Sequence, residues 1–263
     1  MTARSLLGVS RQDRLAVLLR KHGELRLRDV ISEFGVARAT AQRDLELLAT
    51  QPWVMRTHGG VVSRNNAAEA SAHPVIRFED RQQVTPDAKK RIAQAAVKLL
   101  QDSATLYIDA GTTTLAVTQE LIHVAWRPTW VVTNDWHVAE LLSRARIRHE
   151  LLGGEVDPGS LAISGLTALN TLSAYRFDWA LLSADAITAA GSVRVARPPE
   201  AFLKRAAGQA STRRLLLAHA EKYGSDSYCE VAPIAEFTTW ITDRADVGIE
   251  SVCASSGVQL IVA

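Results

Sequence analysis

Hydrophobic positions follow a helical spacing at the start of the chain and a different one further on. Leu15, Leu18 and Leu19 share one face, after a Ser10-x-x-Asp13 start of the capping-box kind, and Gly23 ends the run. Val30, Ile31 and Phe34 form a second short set that stops at Gly35, enough for about two helical turns. Ala41, Leu45 and Leu48 follow at i, i+4 and i+7 and predict a third helix. Two helices joined by a tight turn at Gly35-Val36-Ala37 make a helix-turn-helix arrangement. Residues 54–57 and Val61-Val62, either side of His58-Gly59-Gly60, predict a small hairpin.

From Asp87 onward the pattern alternates between helices and short apolar strands. Ile92, Ala95, Ala96, Leu99 and Leu100 suit a helix, as does the stretch 112–121. Strands are expected at 104–108, 130–132, 150–152, 179–182, 214–217, 239–241 and 259–262. Such alternation predicts an α/β domain with a largely parallel sheet. The polar, alanine-rich residues between the two patterns predict a linker over 66–86, with some order at Pro74-Val75-Ile76-Arg77-Phe78. The expected organisation is a domain over 1–65, the linker, and a second domain over 87–263.

Composition narrows the function. A chain of 263 residues that is 47% hydrophobic can bury a real core, which excludes disorder as its main state. The net charge of +2 is unevenly spread: residues 1–65 carry +5 and the rest −3, so one end is suited to a polyanion. Cys229 and Cys253 form neither a disulfide framework nor a metal-ligand pattern, and the histidines show no H-E-x-x-H pair. No nucleophile elbow is present. No apolar run approaches the ~20 residues of a membrane span, and the first residues lack a signal-peptide core. The expectation is a cytoplasmic protein with no membrane partner, no metal and no cofactor. The scattered tryptophans read as core or interface residues.

Two places carry candidate chemistry. With Ala41, Leu45 and Leu48 facing inward, the third helix turns Ala39, Thr40 and Arg43 outward, with Arg38 at its start and Gln42 on the flank. Arginine suits guanine edges and phosphates, and glutamine suits adenine. Arg56 and His58 on the hairpin could add phosphate contacts. A merely solvated helix face is the alternative, and the short preceding helix, the tight turn and the local +5 favour DNA. The second place is the run Tyr107-Ile108-Asp109-Ala110-Gly111-Thr112-Thr113-Thr114, a strand, a glycine turn and a helix start. Amides at a helix N-terminus attract anions and the threonine hydroxyls add donors, so phosphate is a natural guest. Alternatively, Gly111 only makes the turn and Thr112 caps the helix.

The run 29–45, with Val36-Ala37-Arg38-Ala39-Thr40-Ala41-Gln42-Arg43-Asp44-Leu45 at its end, resembles the start of DeoR-type transcriptional regulators. Arg56-Thr57-His58-Gly59-Gly60 matches the wing motif of that family. Further on, residues 109–113, Thr133-Asn134, 151–154, Phe177-Asp178, Glu200 with Lys204, Lys222-Tyr223-Gly224 and Ile241-Thr242-Asp243 follow the order of its sensor domain. The resemblance spans about residues 10–243. It implies a winged helix-turn-helix domain followed by an α/β sensor of ribose-5-phosphate-isomerase-like fold. It also implies double-stranded operator DNA and a phosphorylated sugar or related effector as partners, repression of carbohydrate genes, and no catalytic residues. A homo-oligomer, dimer or higher, is expected because paired heads match paired half-sites.

Carried over by residue, Arg38, Thr40, Gln42, Arg43, Arg56 and His58 would contact DNA. Gly111, Thr112, Thr113 and Thr114 would hold phosphate, Asp109 and Asn134 would reach sugar hydroxyls, and Lys204 and Lys222 would supply positive charge, with Asp185 beside them. Plainer readings make Glu200 and Lys204 a surface i,i+4 pair, Lys222 a solvated side chain and Asp185 a loop cap. The chain departs from the family at Ala37, where a capping Ser is usual, and at Ala41, Gln42 and Pro52. Ser183-Ala184-Asp185-Ala186-Ile187 replaces a Gly-Ala-Asp-Gly pattern, and His219-Ala220-Glu221 precedes the lysine where an Asp and serines are usual. Two other readings remain at this point. One is a phosphosugar isomerase with Asp109 or Asp185 as base, and the other is a DNA-binding regulator without effector response.

Overall fold

The computed structural model describes residues 11–12, 14–16, 18–19, 24–51, 54–57, 59–63, 78–100, 105–126 and 128–263. The chain divides into two compact units, Met1–Pro74 and Val75–Ala263.

In the first unit, β1 (Glu24–Arg26) leads into α1 (Leu27–Phe34) and α2 (Arg38–Leu48), followed by β2 (Val54–Thr57) and β3 (Gly60–Ser63). Gly35 ends α1 in the left-handed region, φ 59°, which glycine adopts at little cost. Leu15, Leu19, Val30, Ala41, Leu45, Leu48, Val54 and Val61 form the core, so the expected stripes do face inward. The hairpin β2–β3 forms as expected, and β1 adds a third antiparallel strand on the other edge of β3. The sequence pattern does not announce β1, because it is three residues long and two of them are charged. The expected Gly23 stop, Pro52 and Trp53 lie outside the described residues.

Ala37 occupies the N-cap of α2 with no side-chain hydrogen bond. Ala37→Ser would give a first-turn amide a partner and should stabilise this unit by about 0.5–2 kcal/mol. A thermal melt of the full chain that is unchanged or lowered would show that the cap is not what α2 lacks.

The second unit begins with α3 (Phe78–Gln83), α4 (Pro86–Leu100), β4 (Thr105–Ile108), α5 (Thr112–His123), β5 (Trp130–Thr133), α6 (Trp136–Arg144) and β6 (His149–Leu151). It continues with β7 (Glu155–Val156), β8 (Ile163–Ser164), α7 (Leu166–Ser173), β9 (Phe177–Ser183), β10 (Ala186–Ile187), β11 (Ser192–Val195) and α8 (Pro198–Gln209). It ends with β12 (Ser211–Leu217), β13 (Cys229–Pro233), β14 (Thr239–Thr242), α9 (Val247–Ser256) and β15 (Gln259–Val262). The stretches expected as strands become one sheet of order β15-β14-β12-β9-β4-β5-β6. Every pairing in it is parallel.

Alternate strand residues feed two separate cores, as side chains of period two must in a sheet covered on both faces. Leu106, Ile108, Val131, Leu181 and Leu215 pack against α4, α5 and α6 through Ile92, Leu115 and Leu142. Tyr107, Val132, Leu182 and Leu216 pack on the other side with Leu172, Leu203 and Ile249. Part of the stretch expected as a linker over 66–86 is helical. Phe78 is buried in the second unit's core, and α3 and the start of α4 occupy the residues assigned to it. A single buried aromatic among polar neighbours is too weak a pattern to reveal so short a helix. Among the described residues no helix is long and apolar enough to cross a membrane.

Candidate functional site

The sheet changes direction between β4 and β9: from β4 the chain builds outward through β5 and β6, and from β9 outward through β12, β14 and β15. Carboxyl ends of strands at such a switch leave a crevice where ligands of open α/β sheets bind. Asp109 follows β4 directly, Asn134 and Asp135 follow β5, Ser183 ends β9, and Lys204 reaches the same point from α8.

These groups are buried and tightly connected. Lys204, 4% exposed, forms an ion pair with Asp109 and also donates to Ser183 Oγ at 3.2 Å. Ser183 returns its amide and hydroxyl to Asp109 Oδ2 at 3.1 and 3.0 Å. Asn134 Oδ1 accepts from the Tyr107 hydroxyl at 3.0 Å and the Ala110 amide at 2.9 Å, while its Nδ2 donates to the Ile163 carbonyl at 3.0 Å. Gly111 is needed here for close approach, since a Cβ would stand 2.6 Å from Ser183 Oγ. The cleft these residues line is only about 20 Å³, which is room for about one water.

Asp109, Gly111, Asn134, Asp185 and Lys204 therefore share one cleft, as expected from the sequence. The threonine cradle does not line it. Thr113 and Thr114 are buried, and Thr114 Oγ1 donates to the Gly111 carbonyl at 2.8 Å. Thr112 lines a separate groove of about 350 Å³ with Lys89, Lys90 and Gln119. The Gly111 amide donates to Asp135 Oδ2 at 3.2 Å, so an internal carboxylate already holds that donor. Asp135 also caps α6 through the His137 amide at 2.7 Å. Burial raises its pKa above the usual carboxylate value, against the opposing pull of those amides.

Nor is Lys204 a surface partner of Glu200, which binds Arg197 instead at 2.7 Å. Asp185 does serve its loop, accepting the Ala196 amide at 2.8 Å, but it also faces Arg81 at 3.6 Å. Lys222 is not freely solvated: it donates to the Ala184 carbonyl, and burial together with the charges of Arg81, Lys204 and Lys89 lowers its pKa to about 8 despite Asp185. The sequence reading missed Phe78, Arg81 and Asp135. For Asp135 the signal was present, an Asp just ahead of a helical pattern, whereas the α3 residues carried none.

His219 is 8% exposed, with Nδ1 buried and lacking a partner among the described residues. Burial, aided by Lys222, lowers its pKa from 6.5 to about 4, so it is neutral in the folded chain. The unfolded chain binds the extra proton between those values, so stability is complete above about 6.5 and is lost as pH falls toward 4. His219→Gln should flatten the dependence of melting temperature on pH across that window. An unchanged slope would place the proton uptake elsewhere.

In the first unit α2 exposes Arg38, Ala39, Gln42 and Arg43, with Thr40 half-buried, and β2 exposes Arg56. Gln42 Nε2 donates to Glu46 Oε1 at 3.3 Å. Asp44, on the inner side, accepts from Arg11 at 2.6 and 3.2 Å and from Gln12 at 3.0 Å, which fixes α2 against the residues before it. His58 lies outside the described residues.

Residues 11–67 match the family model described as a DeoR-like helix-turn-helix domain, and residues 84–244 match the DeoR C-terminal sensor domain. The chain belongs to the DeoR family. Among its DeoR relatives, an uncharacterised HTH-type transcriptional regulator of Escherichia coli K12, YgbI, is 31% identical over 90% of this chain and 91% of its own length. The glycerol-3-phosphate regulon repressor of Haemophilus influenzae is 28% identical over 96% of both chains. The lactose phosphotransferase system repressor of Staphylococcus epidermidis is 26% identical over 90% of this chain and 92% of its own. Among solved structures, ribose 5-phosphate isomerase A from Neisseria gonorrhoeae aligns at TM-score 0.38 and 20% identity, over 51% of this chain and 52% of its own. This DeoR-family chain is a DNA-binding transcriptional regulator with a separate sensor domain.

Proposed function

We propose that the chain is a repressor of carbohydrate genes that leaves its operator when a phosphorylated sugar or related metabolite occupies the switch-point cleft. The observation that carries this reading is one helix, α2, that buries Ala41, Leu45 and Leu48 while turning Arg38, Gln42 and Arg43 to solvent. In the major groove those side chains meet base edges, with Thr40, Arg56 and His58 toward phosphates. The relatives named as repressors of the glycerol-3-phosphate regulon and of the lactose phosphotransferase system support the class of genes.

In the sensor, Asp109, Asn134 and Lys204 surround the effector's polar groups, with Gly111 and Asp185 at the wall. Lys222 adds positive charge behind the Ala184 backbone, and Thr112, Thr113 and Thr114 buttress the turn from outside. A coupling of about 1–3 kcal/mol between effector and DNA sites suffices for a 5–150-fold loss of operator affinity. The working form is a dimer or larger, one head for each operator half-site.

The test is a fluorescence-anisotropy titration of the full chain on DNA from upstream of its own gene, over a range of salt and with a panel of sugar phosphates. Salt-sensitive binding that one of them weakens supports the reading. No salt-sensitive binding to any fragment, or turnover of a sugar phosphate instead of release, overturns it.

A further inference from the structure

The cleft cannot admit a metabolite as it stands, because a volume near 20 Å³ holds about one water. Some wall must move. Most walls are ends of sheet strands or the long helix α8, held by the core. A shorter element contributes as well: α3, a six-residue helix, places Phe78 and Arg81 in the wall and is held to the core through Phe78. Among the described residues it is also the element of this unit nearest in sequence to the DNA-reading head.

We propose that Arg81 binds the anionic group of the effector and that α3, which carries it, is the lid of the cleft, hinged at Thr85. This rests on the reading of the cleft as an effector site. Three sets of contacts support it. Arg81 faces Asp185 Oδ1 at 3.6 Å, well beyond the ~2.7–2.9 Å of a charge-assisted hydrogen bond. Its Nε is buried with no partner among the described residues, so the guanidinium is held in place without being satisfied. An anion entering beside Arg81 would complete the guanidinium in place of Asp185.

The hinge has its own evidence. Thr85 joins α3 to α4 at φ 47°, a left-handed conformation that is strained for a β-branched residue. Its Oγ1 is buried and lacks a partner among the described residues. Lys89, 5% exposed, tethers the end of α3 by donating to the Arg81 and Val84 carbonyls, the latter at 2.6 Å. At the other end of α3, Phe78 is buried in the core and stacks on His137 at 4.4 Å between centroids, so opening of α3 must break that contact.

The charges agree. Arg81, Lys89, Lys204 and Lys222 crowd one region, and burial with mutual repulsion lowers Lys222 to about 8, while burial and Arg81 lower Lys89 to about 8. A dianionic phosphate relieves that repulsion, and a neutral sugar does not. Asp109, Asp135, Asp185 and Glu200 also line the cleft, so the effector's anion belongs at Arg81 and its hydroxyls face Asp109 and Asn134.

The test uses the full chain, with inorganic phosphate and glycerol 3-phosphate as probes in calorimetric titrations. Arg81→Ala should weaken binding about tenfold or more, the effect of losing a charged hydrogen bond. Asp185→Asn should tighten it several-fold, because the competing carboxylate is gone. Both variants should keep the salt-dependent DNA binding of the parent chain. Hydrogen exchange should change with the probe at residues 78–86. Equal binding by parent and Arg81→Ala, or weakening by Asp185→Asn, overturns the role of Arg81 while leaving the effector site standing. If the parent chain binds DNA but neither probe, both this inference and the phosphorylated-effector reading fail.

Discussion

Replacing Lys204 with alanine should destabilise the second unit by about 3–5 kcal/mol, the usual cost of leaving one half of a buried ion pair alone. Asp109 is 2% exposed on its side chain, and without Lys204 its carboxylate keeps, among the described residues, the amide and hydroxyl of Ser183. For a unit of this size the loss corresponds to a fall in melting temperature on the order of 10 °C. The double variant Asp109→Leu with Lys204→Met should recover much of that loss, because it removes both charges and keeps the volume. A Lys204→Ala chain that melts with the parent would mean that solvent reaches Asp109 freely. The pair's function would separate from its stability in the double variant, which should fold yet ignore sugar phosphates.

Arg43→Ala should cost about 1–3 kcal/mol in operator binding, roughly 5–150-fold in affinity. Arg43 stands exposed on α2, one position before Asp44, whose ties to Arg11 and Gln12 fix the orientation of the helix. A base contact and a phosphate contact would leave different traces. Loss of a guanine contact relaxes the sequence preference, whereas loss of a phosphate contact lowers affinity for every sequence and reduces the salt slope by about one. Unchanged affinity in the titration removes Arg43 from the interface. Gln42, exposed beside it where the family usually has arginine, suits adenine, so the preferred operator should differ there from those of arginine-bearing relatives.

How far the sequence revealed these sites depended on what kind of signal each residue carried. Runs such as Leu106-Tyr107-Ile108 and Leu215-Leu216-Leu217 announce strands of a doubly covered parallel sheet, because both faces demand apolar residues. Gly35 and the Ala41/Leu45/Leu48 stripe fix the helix-turn-helix for equally local reasons. The cleft was legible in part: Asp109, Asn134 and Lys204 meet where expected. Thr113 and Thr114 do not, because a helix start that looks like an anion cradle is here packed inward, and its Gly111 amide serves Asp135 from another strand end. Such a pairing depends on which strands lie side by side, and spacing along the chain does not encode that. Arg81 was hidden for a simpler reason, lying in a polar stretch with the composition of a connector.

The bond between Asp109 and Lys204 closes across 95 positions of sequence, and the strands on either side of it are neighbours only once β9 has come to lie against β4. Contacts of that separation form late, after shorter-range ones are in place. The first unit needs no such closure: its pairings run between Glu24 and Ser63, and it leaves the ribosome first. A polypeptide terminated anywhere between the two units and Lys204 would thus retain the groove-reading module without a finished receptor. Nonsense mutations in that interval should act as uninducible alleles wherever the truncated product escapes proteolysis.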